Sequence, residues 1–240
     1  ALDRGDAGVV DAATNTLLHE DPWEWRAVWI QGLAALARRD TAAAQAAFNA
    51  VYGQVPGELA PKLALAFACE VSGEAAIAES LYAVCARTDS NYTPVGAFGM
   101  ARIRRAEGGI PAAVEALDLI PVTSRAYALA RHQRGQLLAD SGQGLPALAE
   151  ALRSVDGVPL DASDKAGLTV QVLENALTWV TSPQGGPNPG ITLAGHPASV
   201  SGVRQGLEAA YRQLAEVTPD PAARTALVDQ ANAVRPWSVL

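Results

Sequence analysis

A pattern of small and large apolar residues recurs every 34 or 35 residues between Trp25 and Ser154. In each copy an alanine is followed four residues later by a second apolar residue, which is usually large. Two antiparallel helices can cross closely only where a small residue faces a large one. A sustained interval of this length is typical of a repeated helix–turn–helix unit. The paired positions are Ala44 and Phe48, Ala78 and Tyr82, Ala113 and Leu117, and Ala147 and Ala151.

The stretch 25–56 matches a single tetratricopeptide repeat. Gly32 occupies the small position of the first helix, and Pro56 closes the unit. Val28 stands where the repeat motif has tryptophan, although Trp25 and Trp29 flank it. The sequence therefore predicts an all-α fold, in which tetratricopeptide repeats form a right-handed superhelix with a helical cap at its C-terminal end.

The repeat register also predicts how the chain is divided. Gly5 lies 34 residues before Arg39, and Pro22 lies 34 residues before Pro56. Residues 1–22 are therefore predicted to be the second half of a truncated repeat, as expected for a fragment of a longer protein. We expect repeats over 1–154 and a C-terminal helical extension over 155–240. Helices are predicted at 6–19, 23–38, 41–53, 58–72, 74–87, 93–107, 111–119, 124–140, 145–154, 161–181, 199–216 and 219–234.

Residues 182–198 break this helical pattern. Four prolines and four glycines fall within 17 residues, a composition that no helix tolerates. Long loops of this kind are usually mobile or functional. We predict a flexible loop without regular structure here.

Composition narrows the classes of function. The net charge of −7 at pH 7 argues against general nucleic-acid binding. No apolar run approaches 18 residues, so we expect no membrane insertion and a cytoplasmic protein. Cys69 and Cys85 both fall on inward-facing helix positions, which favours two reduced core thiols over a disulfide or redox pair.

Residues arranged for catalysis are missing from the sequence. It contains neither the glycine-rich phosphate-binding loops nor the catalytic-loop motif of kinases. His19, His132 and His196 lie far apart, without partners at metal-ligand spacing. We therefore predict a non-catalytic binding or scaffolding chain that holds no cofactor and no metal.

The first helices of tetratricopeptide repeats line a concave groove, and their side chains are the candidate partner-binding residues. Aromatic side chains and arginines are enriched at interface hot spots. Packing inside the array or plain surface charge would explain the same residues. The candidates are Arg26, Trp29, Phe67, Phe98, Arg102, Arg105 and His132.

The C-terminal helices are predicted to cap the array, because its last repeat would otherwise expose an apolar face. Leu207, Tyr211 and Leu214 form one helical stripe, and Trp237 follows the last helix after Pro236. We expect Tyr211 and Trp237 to take part in the cap or in self-association.

The order of elements and the C-terminal motif resemble a known family. The repeats, then Gly195-His196-Pro197, and then the segment 225–236 with its Leu-Val-Asp…Asn…Val-Arg-Pro pattern resemble the C-terminal tetratricopeptide domain of protein kinase G-type bacterial Ser/Thr kinases. The resemblance covers nearly the whole chain. It implies a cytosolic kinase that controls glutamate and nitrogen metabolism through a forkhead-associated substrate, with its kinase site outside this chain.

Two other functions also fit the sequence. A stand-alone adaptor would bind peptides in the same groove, and a small-molecule sensor would use residues 182–198 as a lid. For the preferred function we expect protein or peptide partners and consider a homodimer.

Overall fold

The computed structural model describes residues 7–236. Within that range the chain forms twelve helices and one β-hairpin, in agreement with the predicted all-α class. The helices are α1 (Ala7–Glu20), α2 (Trp25–Ala37), α3 (Thr41–Gln54), α4 (Leu59–Val71), α5 (Ala75–Thr88), α6 (Thr93–Ala106), α7 (Ile110–Leu117), α8 (Tyr127–Asp140), α9 (Leu145–Ser154), α10 (Ala162–Thr181), α11 (Val200–Val217) and α12 (Pro221–Val234), and the strands are β1 (Asn188–Leu193) and β2 (His196–Ala198).

The chain divides into two compact units, the first ending at Ile120 and the second beginning at Pro121. In the first unit each helix from α1 to α6 packs against the next one along the chain. In the second unit α10 packs against α8, α9 and α11, and α12 packs against α11. Helices α8 and α9 share their hydrophobic core with α10. The predicted end of the repeats at residue 154 stays a prediction.

Pairs of small and large residues hold the repeat helices together, as the register predicts. Ala44 and Ala78 are completely buried, and so are the rings of Phe48 and Tyr82. A Cβ atom added to Gly32 would lie 2.6 Å from the ring of Phe48. That distance is shorter than a van der Waals contact, so α2 and α3 approach each other to the limit that glycine permits.

The turn between the two helices of each repeat uses one backbone conformation. Gly73, Gly108 and Gly142 have φ between 68° and 84°, in the left-handed region. Arg39 occupies the same register position with φ of 62°. Glycine adopts this conformation without a steric cost, which explains why the sequence repeats it there. After the first turn Asp40 caps α3, and its side chain accepts a hydrogen bond from the Ala43 N–H at 3.0 Å.

The prediction of an irregular loop at 182–198 is wrong for residues 188–198. Strands β1 and β2 pair antiparallel, with Leu193 opposite His196. Ala194 and Gly195 both have positive φ and form the two-residue turn that suits a hairpin. Leu193 and Ala198 are completely buried in the core of the second unit. Burial of these two side chains stabilises a hairpin that its proline content argues against.

The last two helices cover the core of the second unit. Leu207 and Tyr211 of α11 are buried, and Leu214 packs against the same core. In α12, Ala231 is buried, while Leu227 and Val234 are half-buried against that core. The three α11 positions match the stripe that the sequence pattern assigns to a cap. Trp237 lies outside the described residues, so its part in the cap stays a prediction.

Ala78→Leu should overpack the crossing between helices, because the Ala78 side chain is completely buried. We expect a loss of about 1–3 kcal/mol in the free energy of unfolding, measured by urea denaturation. The neighbouring Ala76 is exposed on the same helix, so Ala76→Leu is the matched control and should unfold like the parent. Equal free energies of unfolding for the two variants would contradict the close packing of Ala78.

Candidate functional site

The predicted groove residues fall in both units. Six of them lie on the first helices α2, α4 and α6 of the first unit, and His132 lies on α8 of the second. Phe67 has 44% of its surface exposed, whereas Trp29 and Phe98 are half-buried. Arg105 is exposed, and His132 is half-buried.

A cleft of about 620 Å³ lies between α2 and the start of α4. It brings together two of the predicted residues, Arg26 and Trp29. Six further lining residues were not among the candidates. The sequence indicates one of the six, Trp25, because it lies one helical turn before Trp29 and therefore on the same face of α2. The additional lining residues are Trp25, Ile30, Val55, Glu58, Ala60 and Pro61.

The aromatic wall of this cleft is held from behind by the repeat core. The ring of Trp29 packs against Phe48, with 5.1 Å between ring centroids and an interplanar angle of 58°. One side of the Trp29 ring packs against the repeat core, which is the alternative explanation that the sequence left open for this residue. Trp29 also lines the cleft. The guanidinium of Arg26 lies 4.7 Å from the centroid of the Trp25 ring and also contacts Glu24 at 3.3 Å. The cleft therefore combines a fixed apolar wall with an exposed cation at its rim.

Arg102 makes contacts with neighbouring helices of the array. Its Nε and one Nη donate to the two carboxylate oxygens of Glu70, each at 2.8 Å. The hydroxyl of Tyr82 donates to the same carboxylate at 2.6 Å. Glu70 lies on α4, Tyr82 on α5 and Arg102 on α6, so this triad links three consecutive helices. Arg102 is thus engaged within the array, and its part in binding a partner stays a prediction.

The ionisation of the triad follows from these contacts. Hydrogen bonding by Arg102 is the main cause that holds the pKa of Glu70 below its usual value, with a further contribution from Tyr82. Burial, together with the Glu70 carboxylate, raises the pKa of the Tyr82 hydroxyl. The triad therefore carries an ionised glutamate and a protonated tyrosine at neutral pH.

The two cysteines are free thiols buried in the first unit, as their helix positions predict. The side-chain amide of Gln45 donates to Cys69 Sγ at 3.4 Å, and the Cys85 thiol contacts the carbonyl oxygen of Leu59 at 3.8 Å. Burial raises the pKa of both thiols, which disfavours the reactive thiolate.

Residues 7–236 contain neither a metal-binding cluster nor a membrane-spanning helix. Among them, no three His, Cys, Asp or Glu side chains are grouped so that they could hold a metal ion. None of the helices in this part of the chain is both long and apolar enough to cross a membrane.

Tyr211, the candidate for a cap or for self-association, lies in the core of the second unit. Its ring is buried, and its hydroxyl donates a hydrogen bond to the carboxylate of Glu174. Burial is the main cause that raises the pKa of this hydroxyl. An internal role in the cap fits this position better than contact with a second copy.

The second unit contains a cavity of about 440 Å³ that bears on the sensor hypothesis. Ser182 and Gln184, at the start of the predicted lid, contribute to its wall. The ring of Trp179 lies against Gly144, where an added Cβ atom would come within 2.8 Å of it. The hairpin that follows is anchored in the core, so it is not the free lid that the hypothesis requires.

Comparison with known proteins decides the family. A family model described as "Protein kinase G tetratricopeptide repeat" matches residues 1–238. The chain belongs to this family. The resemblance predicted from the repeat register and the C-terminal motif is confirmed, and so is the all-α tetratricopeptide fold.

Two relatives of this protein kinase G family are bacterial proteins described as "Serine/threonine-protein kinase PknG". The relative from Mycobacterium leprae is 36% identical over 244 residues, and the alignment covers 100% of this chain. The relative from Mycolicibacterium smegmatis is 34% identical over 242 residues, covering 99% of this chain. In both cases the chain spans only 31% of the relative's length.

A solved structure, "Crystal structure of APC/C hetero-tetramer Cut9-Hcn1", is also similar to this family member. The superposition has a TM-score of 0.49 at 14% sequence identity, and covers 95% of this chain and 46% of the other.

Glu70→Gln should destabilise the protein at pH 7 by about 1–3 kcal/mol, because it removes the charge that Arg102 binds. The low pKa of Glu70 stabilises the fold above the unfolded pKa of about 4.3, and this contribution is lost as the pH falls through the folded pKa. The difference in the free energy of unfolding between parent and variant, measured by urea denaturation, should therefore shrink between pH 5 and pH 3.

The control for this pH series is Glu115→Gln, at an exposed position on α7. Its unfolding should follow the parent at every pH. A Glu70→Gln variant whose deficit stays constant down to pH 3 would show that the charge of Glu70 does not stabilise the fold.

Proposed function

We propose that this chain is the non-catalytic protein-interaction and scaffolding domain of a Ser/Thr protein kinase. The observation that carries the proposal is the aromatic cleft between α2 and α4 in a member of the protein kinase G tetratricopeptide family. The cleft would receive apolar side chains of a partner segment. Arg26, at the rim of the cleft, would help to orient that segment.

The dimensions and chemistry of the cleft support a peptide ligand. Its volume of about 620 Å³ lies within the range of ordinary ligand sites, which is about 300–1,000 Å³. Trp25 and Trp29 supply broad apolar area, and Arg26 and Glu58 place one charge of each sign beside it. Because Trp29 is fixed by Phe48, its wall does not need to be ordered when a ligand binds.

The cellular role that we propose is the one that the family resemblance implies. We infer that a kinase domain outside this chain acts in the bacterial cytoplasm and controls glutamate and nitrogen metabolism through a forkhead-associated substrate. The two related kinases are about three times as long as this chain, since it spans 31% of each. That leaves ample length for a catalytic domain. Partner segments bound by this chain would be brought close to that domain.

Trp25→Ala should weaken peptide binding at the cleft. Peptides are first selected on the purified chain from a displayed library of random 12-residue sequences, and the affinity of a selected peptide is then measured by fluorescence anisotropy. Loss of the Trp25 ring should weaken binding at least tenfold, or about 1.4 kcal/mol, as expected for an aromatic hot spot.

Trp23 provides the matched control. Its side chain is 77% exposed in the turn before α2 and does not line the cleft. Trp23→Ala should bind the selected peptide as the parent does. Equal affinities of the Trp23 and Trp25 variants, or a library without any enriched peptide, would argue against the cleft as a peptide site.

The purified chain should transfer no phosphate. We expect no incorporation of label into casein when the chain is incubated with radiolabelled ATP and Mg²⁺, because its sequence contains none of the phosphate-binding or catalytic-loop motifs that kinases use. A purified kinase serves as the positive control. Label transferred in proportion to the concentration of this chain would overturn the non-catalytic assignment.

A further inference from the structure

The cavity of about 440 Å³ in the second unit lies where the ends of three helices meet. The last turn of α8 contributes Ala139 and Asp140 to its wall, and the last turn of α10 contributes Thr178 and Trp179. Gly144, at the start of α9, lines it as well. Small-molecule sites have volumes of about 300–1,000 Å³, so this cavity is large enough for a small organic molecule.

Hydrogen bonds between α8 and α10 hold the wall of the cavity in place. The side-chain amide of Asn175 donates to the carbonyl oxygen of Ala139 at 3.0 Å. Gln171 donates to the carboxylate of Asp140 at 2.6 Å. Both bonds join the middle of α10 to the end of α8. A ligand therefore meets a wall that does not have to be ordered when it binds.

The charges around the cavity favour a cationic ligand. Asp140 is the one charged side chain among the described lining residues, which include no lysine, arginine or histidine. The C-terminal end of a helix carries a partial negative charge, and both α8 and α10 end here. The N-terminus of α9 has the opposite effect, but Pro146 in its first turn supplies no N–H. Two helix C-termini and one carboxylate outweigh that single N-terminus.

The uncharged lining residues fit a flat cation that donates several hydrogen bonds. The half-buried ring of Trp179 offers an aromatic surface on which a guanidinium can stack. The side-chain oxygen of Asn175 accepts no hydrogen bond from residues 7–236. Gln143 and Gln184 bring two more amide oxygens to the wall. A guanidinium presents five N–H donors in one plane, which suits this set of acceptors better than a compact ammonium does.

We propose that this cavity binds a small guanidine, in which a guanidinium is carried on a short apolar body. The guanidinium stacks on Trp179 and donates to Asn175 and Asp140, and the apolar body packs against Leu138 and Leu148. The ligand is a free molecule, because a cavity of this volume accommodates a whole small molecule. This site needs no lid, and it adds a second binding function to the scaffolding role.

The test titrates the purified chain with butylguanidine and follows the indole N–H signals of its tryptophans by NMR. The Trp179 signal is assigned by its loss in Trp179→Phe, and those of Trp25 and Trp29 in the same way. We expect the Trp179 signal to move to a saturating value with a dissociation constant of about 1 mM. The signals of Trp25 and Trp29, which line the cleft of the first unit, should stay in place. The readout therefore separates this site from the peptide cleft.

Two further probes test the charge and the source of the ligand. Butylurea has nearly the same shape as butylguanidine but no charge, and it should bind about tenfold more weakly. Equal affinities would show that the cavity does not select a cation and would overturn the proposal. N-acetyl-arginine methylamide carries the same cation on a peptide backbone, and it should also bind more weakly than butylguanidine. Tighter binding of this probe would assign the cavity to an arginine of a protein partner and overturn the proposed source.

Substitutions at the wall change its charge in both directions. Thr178 is exposed at the cavity, so Thr178→Lys should place a cation there and weaken butylguanidine binding about tenfold. Gln143 is exposed too, and Gln143→Glu should strengthen binding about threefold.

Thr16 on α1 provides the matched control. Thr16 and Thr178 are both exposed, and the hydroxyl of each donates to the carbonyl oxygen four residues earlier. Thr16→Lys adds the same charge in the first unit and should bind butylguanidine as the parent does. A Trp179 signal that does not respond to butylguanidine, a response unchanged in Thr178→Lys, or no gain in Gln143→Glu would each overturn the proposal.

Discussion

Close crossing of two helices at a small residue is the constraint on which the repeat structure depends. At Gly32 there is no room for a Cβ atom against Phe48, and at Gly99 there is none against Tyr82. Each contact fixes the distance and the rotation between two neighbouring helices. Because a repeat array buries its core only between neighbours, the same contact must recur along the chain. This requirement explains the interval of 34 or 35 residues in the sequence.

The same constraint explains why the sequence predicts the helices so well. Small and large residues must recur at fixed positions, so the repeat interval alone is enough to place Ala78 and Tyr82 in the core. Turn positions are equally predictable, since Gly108 and Gly142 supply the left-handed backbone that ends each first helix. The hairpin escapes prediction because it depends on Leu193 entering a core built by distant helices. Local composition carries no information about such a core.

Side-chain partners are the least predictable part of the candidate site. Helical spacing places Arg102 on the first helix α6, but nothing local reveals that Glu70, 32 residues earlier, binds its Nε and one Nη. An arginine on a groove can anchor a partner or join two repeats, and sequence spacing is the same in both cases. The cleft is predictable in part, because Trp25 and Trp29 follow from the α2 helix period. Val55, at the end of α3, and Pro61, on α4, reach the cleft only through the fold.

The triad and the cleft divide the first unit into two kinds of surface. Between α4 and α6, a charged bridge fills the space between first helices and ties them to α5 through Tyr82. Between α2 and α4, apolar side chains line an open cleft instead. A bidentate ion pair shielded on one side holds its geometry strongly, so it resists being replaced by a ligand. An apolar cleft gains free energy whenever a ligand excludes its water. On these grounds our proposal places the partner at the junction between α2 and α4 rather than at the junction between α4 and α6, although both junctions belong to the same run of first helices.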